Sequence, residues 1–166
     1  NFFEFKKFSK IISILKGKNF CIDRNSCSIF NKSIISSKFK ILSHLDPCYH
    51  LKAIKNSTEI KNMINSHIED GVALTKFLYW IKKRKNFNLS EIDAEKKLEK
   101  FRKKNKNFLF PSFNTIAGSG PNGAIIHYRA NKKSNRKINK KDIFLCDSGG
   151  QYKYGTTDVT RTICFS

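Results

Sequence analysis

Residues 142–166, DIFLCDSGGQYKYGTTDVTRTICFS, constrain this chain more than any other stretch. Residues 143–146 are continuously apolar, the pattern of a strand buried on both faces, and the run stops at a carboxylate, Asp147. From Thr157 the pattern alternates: Thr157, Val159, Arg161, Ile163 and Phe165 fall on one face, and Asp158, Thr160, Thr162 and Cys164 on the other. Joined as a hairpin through Lys153, Tyr154 and Gly155, with the turn midway between positions 147 and 158, the two strands set Asp147 opposite Asp158. Cross-strand neighbours have Cβ atoms about 4.5–5.5 Å apart. Two carboxylates that close repel each other and suffer desolvation unless positive charge lies between them. One metal ion or two resolve the conflict, and a two-metal site with ions about 3.5–4 Å apart has the matching dimension. The alternative is structural, with both aspartates capping turns or pairing with Arg161 and Lys153. On the residues alone the two readings stand even.

Upstream, the clearest periodic signal is helical. Asn56 or Ser57 can cap it, Glu59 sits in the first turn, and Ile60, Ile64, His67, Gly71, Leu74, Leu78 and Ile81 recur at spacings of four and three. The charged run 82–85 ends it. His67 lies in the stripe, where a single His is more often packed than ligating. A second helix starts at the capping box Ser90-Glu91-Ile92-Asp93 and carries a thin apolar stripe, Ala94, Leu98 and Phe101, opposite a Lys/Glu face. After Asn107 the pattern becomes extended: residues 113–117 alternate, 118–123 form a Gly-rich turn, and 124–128 (AIIHY) read as a strand. Gly118, Gly120 and Gly123 satisfy GxGxxG, but glycines that open a strand offer no helix N-terminus to a pyrophosphate. Residues 1–52 are short Phe- and Ile-rich runs, consistent with alternating short helices and strands, with a turn at Asp46-Pro47.

Composition excludes several classes. Of 166 residues, 39% are hydrophobic, enough for a core, and no run approaches the roughly 18–20 apolar residues of a membrane span. The N-terminal residues lack a signal-peptide pattern. Five cysteines without a CxxC pair argue for reduced thiols and a cytoplasmic location. The net charge of +20 invites a nucleic-acid partner, yet it comes from 27 Lys and only 6 Arg, spread along the whole chain with 16 Asn. Specific phosphate and base readers favour the Arg fork, so a solvated Lys-rich surface is the expected meaning and nucleic acid is not an expected partner.

Three segments, DPCYHLKAIKNSTEIKNMINSHIEDGVAL, NTIAGSGPNGAIIHY and LCDSGGQYKYGTTDVTRT, closely resemble the Xaa-Pro aminopeptidases (aminopeptidase P) of the pita-bread metallopeptidase fold. The resemblance is weak from about residue 8 to Pro47 and strong after it. It implies an α+β chain: residues 1–50 as the C-terminal tail of a preceding α/β domain with its linker, and 51–166 as the N-terminal half of the catalytic domain, long helices packed on a mostly antiparallel curved sheet. It also implies that Asp147 is the first metal ligand, Asp158 a ligand bridging two divalent ions, and His127 a residue that binds substrate and stabilises the reacting carbonyl. Thr160 at most supports a ligand. Carboxylate ligation suits a hard ion such as Mn²⁺. The implied partner is a peptide with Pro in second position; a homodimer is compatible with the resemblance, and no membrane is implied.

Two departures accompany the match. After GAIIHY the chain has Arg129-Ala130-Asn131 where relatives carry a small residue and a proline, followed by a Lys-crowded loop. The family's remaining ligands, one His and two Glu, would lie after Ser166. His44, His50 and His67 precede the first ligand and do not replace them. The expectation is therefore a fragment that is inactive alone, from a metalloaminopeptidase. The alternative is a non-catalytic pita-bread module binding protein or nucleic acid.

Overall fold

The computed structural model describes residues 3–84 and 88–165, in two compact units, Asn1–Lys55 and Asn56–Ser166. Lys85, the end of the charged run, lies outside the described residues.

The first unit alternates short helices and strands, as its Phe- and Ile-rich runs predict. A 3-10 turn (Phe5–Lys7) leads into α1 (Phe8–Ile14); β1 (Asn19–Ile22), α2 (Ile29–Ser36), β2 (Lys40–Ser43) and α3 (Pro47–Ala53) follow. Strands β1 and β2 are parallel, Asn19 facing Lys40, so a crossover is required and α2 supplies it. Ile12, Ile22, Ile35 and Phe39 form the core of this unit. The Asp46-Pro47 turn proves to be the start of α3: the Asp46 side chain accepts from Cys48 N at 2.9 Å, and Pro47 takes a first-turn position where no N–H is needed.

In the second unit α4 (Ser57–Lys82) begins at a reciprocal capping box: Glu59 N donates to Asn56 Oδ1 (2.9 Å) and Asn56 N to Glu59 Oε2 (2.8 Å). Its buried residues are Ser66, Asp70, Ala73, Leu74, Phe77 and Ile81. The expected stripe holds only in the C-terminal half. Ile60 and Ile64 are half exposed, at 50% and 55%, because the buried face there runs through the polar residues Ser66 and Asp70, which an apolar count passes over. Helix α5 (Glu91–Arg102) starts at the predicted box, with Ser90 capping and Asp93 returning the bond to Ser90 N, and buries Ala94 and Leu98. Glu91 and Arg102 are buried as well.

The strands are β3 (Phe108–Pro111), β4 (Ile116–Ser119), β5 (Phe144–Ser148), β6 (Gly150–Tyr152), β7 (Gly155–Thr156) and β8 (Val159–Ile163). They form two antiparallel sheets in the orders β3-β6-β7 and β4-β5-β8. One register runs through both: Asp147 faces Thr160, and Tyr152 faces Gly155. The two ladders are thus successive parts of one bent hairpin whose turn is Lys153-Tyr154. Phe144, Cys146, Ile163 and Ala117 pack on Phe77, Ile81 and Leu98 to make the core. Strand β5 is not buried on both faces: Phe144, Cys146 and Ser148 are buried, while Leu145 and Asp147 are only half covered, so the face that carries Asp147 stays accessible.

The bend falls at Gly149. A Cβ there would run into the Thr157 carbonyl oxygen and the Ser112 hydroxyl, and the Ser112 hydroxyl already donates to Thr157 O at 2.8 Å. Gly149→Ala is expected to destabilise the unit by about 2 kcal/mol or more, since overpacking at a closed backbone site forces the strands apart. The urea midpoint reads this, and a change under about 0.5 kcal/mol would contradict it.

Residues 124–128 are not a strand. The chain leaves β4 into a 3-10 helix (Gly120–Ala124) and a turn, with Ile125 and Ile126 exposed. The apolar, β-branched content suggested a strand, but Gly118 and Gly123 fold the backbone onto itself: a Cβ on Gly118 would lie 2.8 Å from Gly123 Cα. The GxGxxG spacing therefore serves close backbone packing, and the five-residue 3-10 turn after it offers no α-helix N-terminus.

Candidate functional site

Asp147 is the fourth residue of β5, and Asp158 immediately precedes β8. They are not directly opposite. The turn centre lies one residue later than the position midway between them, so Asp147 faces Thr160, two residues past Asp158. A shift of two preserves the face, because strand side chains alternate with period two. Continuing the register, Asp147 and Asp158 are diagonal neighbours on one face, about 7–8 Å apart by standard sheet geometry. Asp158 is exposed and Asp147 half-buried.

The Thr160 hydroxyl donates to Asp147 Oδ1 at 2.8 Å, which fixes one carboxylate oxygen. Neither aspartate forms an ion pair among the described residues, although 33 of the chain's residues are Lys or Arg. Arg161, one candidate counter-ion, turns its Nη1 to the Thr160 carbonyl at 2.7 Å. Two carboxylates share a face without a cationic side chain on either, and oxygen donors of this kind fit a hard divalent ion. Among the described residues no three His, Cys, Asp or Glu side chains gather as a metal-binding group. Burial pushes the neighbouring Cys146 thiol up to about 12, so it stays protonated.

His127 is exposed, in the turn after the 3-10 helix, with φ of 55°. That is the left-handed region, uncommon outside Gly although His, like Asn and Asp, adopts it more often than other residues do. The group that holds the surrounding segment is Glu91, which sequence reasoning passed over. Glu91 is fully buried at the first position of α5 and accepts from Ser119 N (2.8 Å), Asn122 Nδ2 (3.0 Å), Tyr128 Oη (2.8 Å) and Arg136 N (2.9 Å). Four donors meet the buried Glu91 side chain at the first turn of α5. They also clamp both ends of the segment that carries His127. Only the position of Glu91 inside a capping-box sequence hinted at this role. His67 lies exposed on α4 with Nδ1 2.9 Å from Met63 O, and it joins no site.

A second buried network lies behind the aspartates. Arg102 grips Asp70 with both arms, Nε to Oδ1 (2.6 Å) and Nη2 to Oδ2 (3.0 Å), and Nη2 also donates to Ser148 Oγ (3.1 Å). The Tyr152 hydroxyl donates to Asp70 Oδ1 at 2.8 Å. Burial pushes the Asp70 carboxyl up, but Arg102 and the Tyr152 and Thr157 hydroxyls outweigh it and hold the group below the usual carboxylate range. Burial first, and the Asp70 carboxylate next, raise the Tyr152 phenol, which therefore remains a donor.

The helices packed on bent antiparallel strands are those of the pita-bread fold. The structure superposes on prolidase from Pyrococcus horikoshii with a TM-score of 0.76 at 25% identity, covering 96% of this chain and 45% of that one. It also superposes on an X-prolyl aminopeptidase from Caenorhabditis elegans, described as a cytosolic enzyme with a di-nuclear active site, with a TM-score of 0.71 at 36% identity over 81% of this chain and 22% of that one. Residues 61–166 match metallopeptidase family M24, and the chain belongs to that family. Among its relatives, the Xaa-Pro aminopeptidase ApepP of Drosophila melanogaster is 44% identical over 161 residues, 96% of this chain and 26% of the relative. Aminopeptidase P2 of Arabidopsis thaliana is 48% identical over 122 residues, 72% of this chain and 17% of the relative. The chain thus spans about a quarter or less of the length of these curated relatives.

Proposed function

We propose that the intact protein is a metal-dependent Xaa-Pro aminopeptidase that removes the first residue from peptides with proline in second position. The observation that carries this reading is the pair Asp147 and Asp158, two carboxylates on one accessible face with no cationic partner among the described residues of a chain of net charge +20. The relatives named Xaa-Pro aminopeptidase support the reaction class, and the di-nuclear C. elegans enzyme supports two ions and a cytoplasmic location. Mn²⁺ suits the oxygen donors.

In this reading Asp147 and Asp158 hold the ions. Bound there, divalent ions supply Lewis-acid stabilisation of the developing oxyanion and a water acidic enough to attack at neutral pH. Thr160 holds one oxygen of Asp147, which orients that carboxylate before any ligand arrives. The negative charge of Asp147 also favours the substrate's free α-amine nearby. His127, carried on the turn that Glu91 clamps, contacts the substrate and polarises its carbonyl.

The test is release of the first residue from an Xaa-Pro peptide by the intact protein. Chelator-treated protein is expected to be inactive and to recover on addition of Mn²⁺. Equal rates before and after chelation, with metal removal verified by mass spectrometry, would overturn the proposal.

A further inference from the structure

The Asp70–Arg102 pair grips the first arm of the bent hairpin on both sides of its bend. Arg102 Nη2 reaches Ser148 on β5, and Asp70 accepts from Tyr152 on β6. The Thr157 hydroxyl, just before β8, accepts from Gly150 N at 2.9 Å and ties the second arm to the first. Ser148 is 0% and Thr157 1% exposed, so both point inward. Each is the sequence neighbour of a candidate metal-binding carboxylate: Asp147 precedes Ser148, and Asp158 follows Thr157. In extended backbone, adjacent side chains point to opposite faces. The same residues that anchor the hairpin inward therefore aim the two aspartates outward. Between these anchors lies the Gly149 bend, the place where the two ladders separate.

Helix packing alone gives no reason for such a pair. Leu74, Phe77 and Leu98 already join the helices to the sheet, and a buried ion pair is often no more stabilising than apolar residues of the same volume. What the pair adds is directional hold on the backbone next to Asp147, from Ser148 on one side of the bend and Tyr152 on the other.

We propose that Asp70–Arg102 is a positioning device for the metal-binding carboxylate Asp147, Arg102 holding the adjacent Ser148 and Asp70 holding Tyr152 on the far side of the bend. This rests on the reading of Asp147 and Asp158 as the metal-binding pair. Groups that orient metal ligands typically contribute 10- to 100-fold to metal affinity.

The experiment is Mn²⁺ titration of the metal-free intact protein by calorimetry, with a thermal melt of each metal-free variant. Ser148→Ala deletes one hydroxyl and is expected to weaken Mn²⁺ binding about tenfold or more. Tyr152→Phe, which deletes the hydroxyl that Asp70 holds, is expected to weaken it in the same direction. A purely structural role would lower the melting temperature and leave the affinity of the folded protein unchanged. Wild-type affinity in Ser148→Ala and Tyr152→Phe, alongside weakened binding in Asp147→Ala and Asp158→Ala, overturns the positioning role and leaves the metal reading intact. Wild-type affinity in the two aspartate variants overturns both.

Discussion

Asp158→Ala in the intact protein is expected to lower Mn²⁺-dependent release of the first residue by at least about a hundredfold, some 2.7 kcal/mol of transition-state stabilisation, while leaving the fold almost untouched. The two halves of this expectation have separate grounds. Asp158 is exposed and makes no hydrogen bond or ion pair among the described residues, so truncating it removes no folded-state contact and stability should change by no more than about 0.5 kcal/mol. Deleting it halves the negative charge of a two-carboxylate site, and the remaining Asp147 has one oxygen committed to Thr160. A residue that serves only as surface would leave the activity as unchanged as the fold. Activity within about threefold of wild type, with an unchanged melting curve, would remove Asp158 from the site.

The largest loss of stability is expected from Asp70→Ala. It strands the Arg102 guanidinium, 1% exposed, without its bidentate partner, and breaking a buried pair in this way costs about 3–5 kcal/mol. For a unit of this size the melting temperature should fall by roughly 10 °C or more. Replacing both members by apolar residues, Asp70→Leu with Arg102→Met, should recover a large part of that loss, because the cost lies in the uncompensated charge. A single-variant effect below about 1 kcal/mol would mean that water reaches Arg102. The pH dependence carries a sign as well. Folding holds the Asp70 carboxyl below its ordinary value of 3.8, so its stabilising contribution is complete above that value and is lost as pH falls through the lower folded value. Asp70→Ala should flatten this acid limb of the stability curve, which urea midpoints measured across acidic pH report.

How much was legible from the residues varied with how local the cause was. The capping boxes at Asn56 and Ser90 were readable because both partners lie within three residues of each other. The alternation of residues 157–165 set the face of Asp158 and Thr160 correctly, since the period of a strand is a local property. The register was off by two positions, because it depends on where a tight turn centres, and Lys153-Tyr154-Gly155 allows more than one centre. The supposed strand at 124–128 failed for a related reason. Its apolar, β-branched residues satisfy the local pattern, but Gly118 against Gly123 and the pull of Glu91 on Asn122 and Tyr128 fold it into a turn.

The N-terminal half of the α4 stripe illustrates the same limit. Ile60 and Ile64 have the right spacing for a core face, yet the side of the helix that meets the sheet carries Ser66 and Asp70. A polar residue on a buried face is invisible until its partner is known, and Asp70 finds Arg102 32 residues away and Tyr152 82 residues away.

What the sequence determined by itself was the kind of element each segment forms where capping and periodicity agree, the face that holds Asp158, and a specific resemblance carried by DSGGQY and GTTDVTRT. What only the tertiary structure decided was the pairing of distant charged groups: Glu91 with the loop that carries His127, and Arg102 with Asp70 behind the two aspartates. A buried charge is stable only where a partner meets it, and that meeting is a property of packed elements, which no stretch of sequence contains alone.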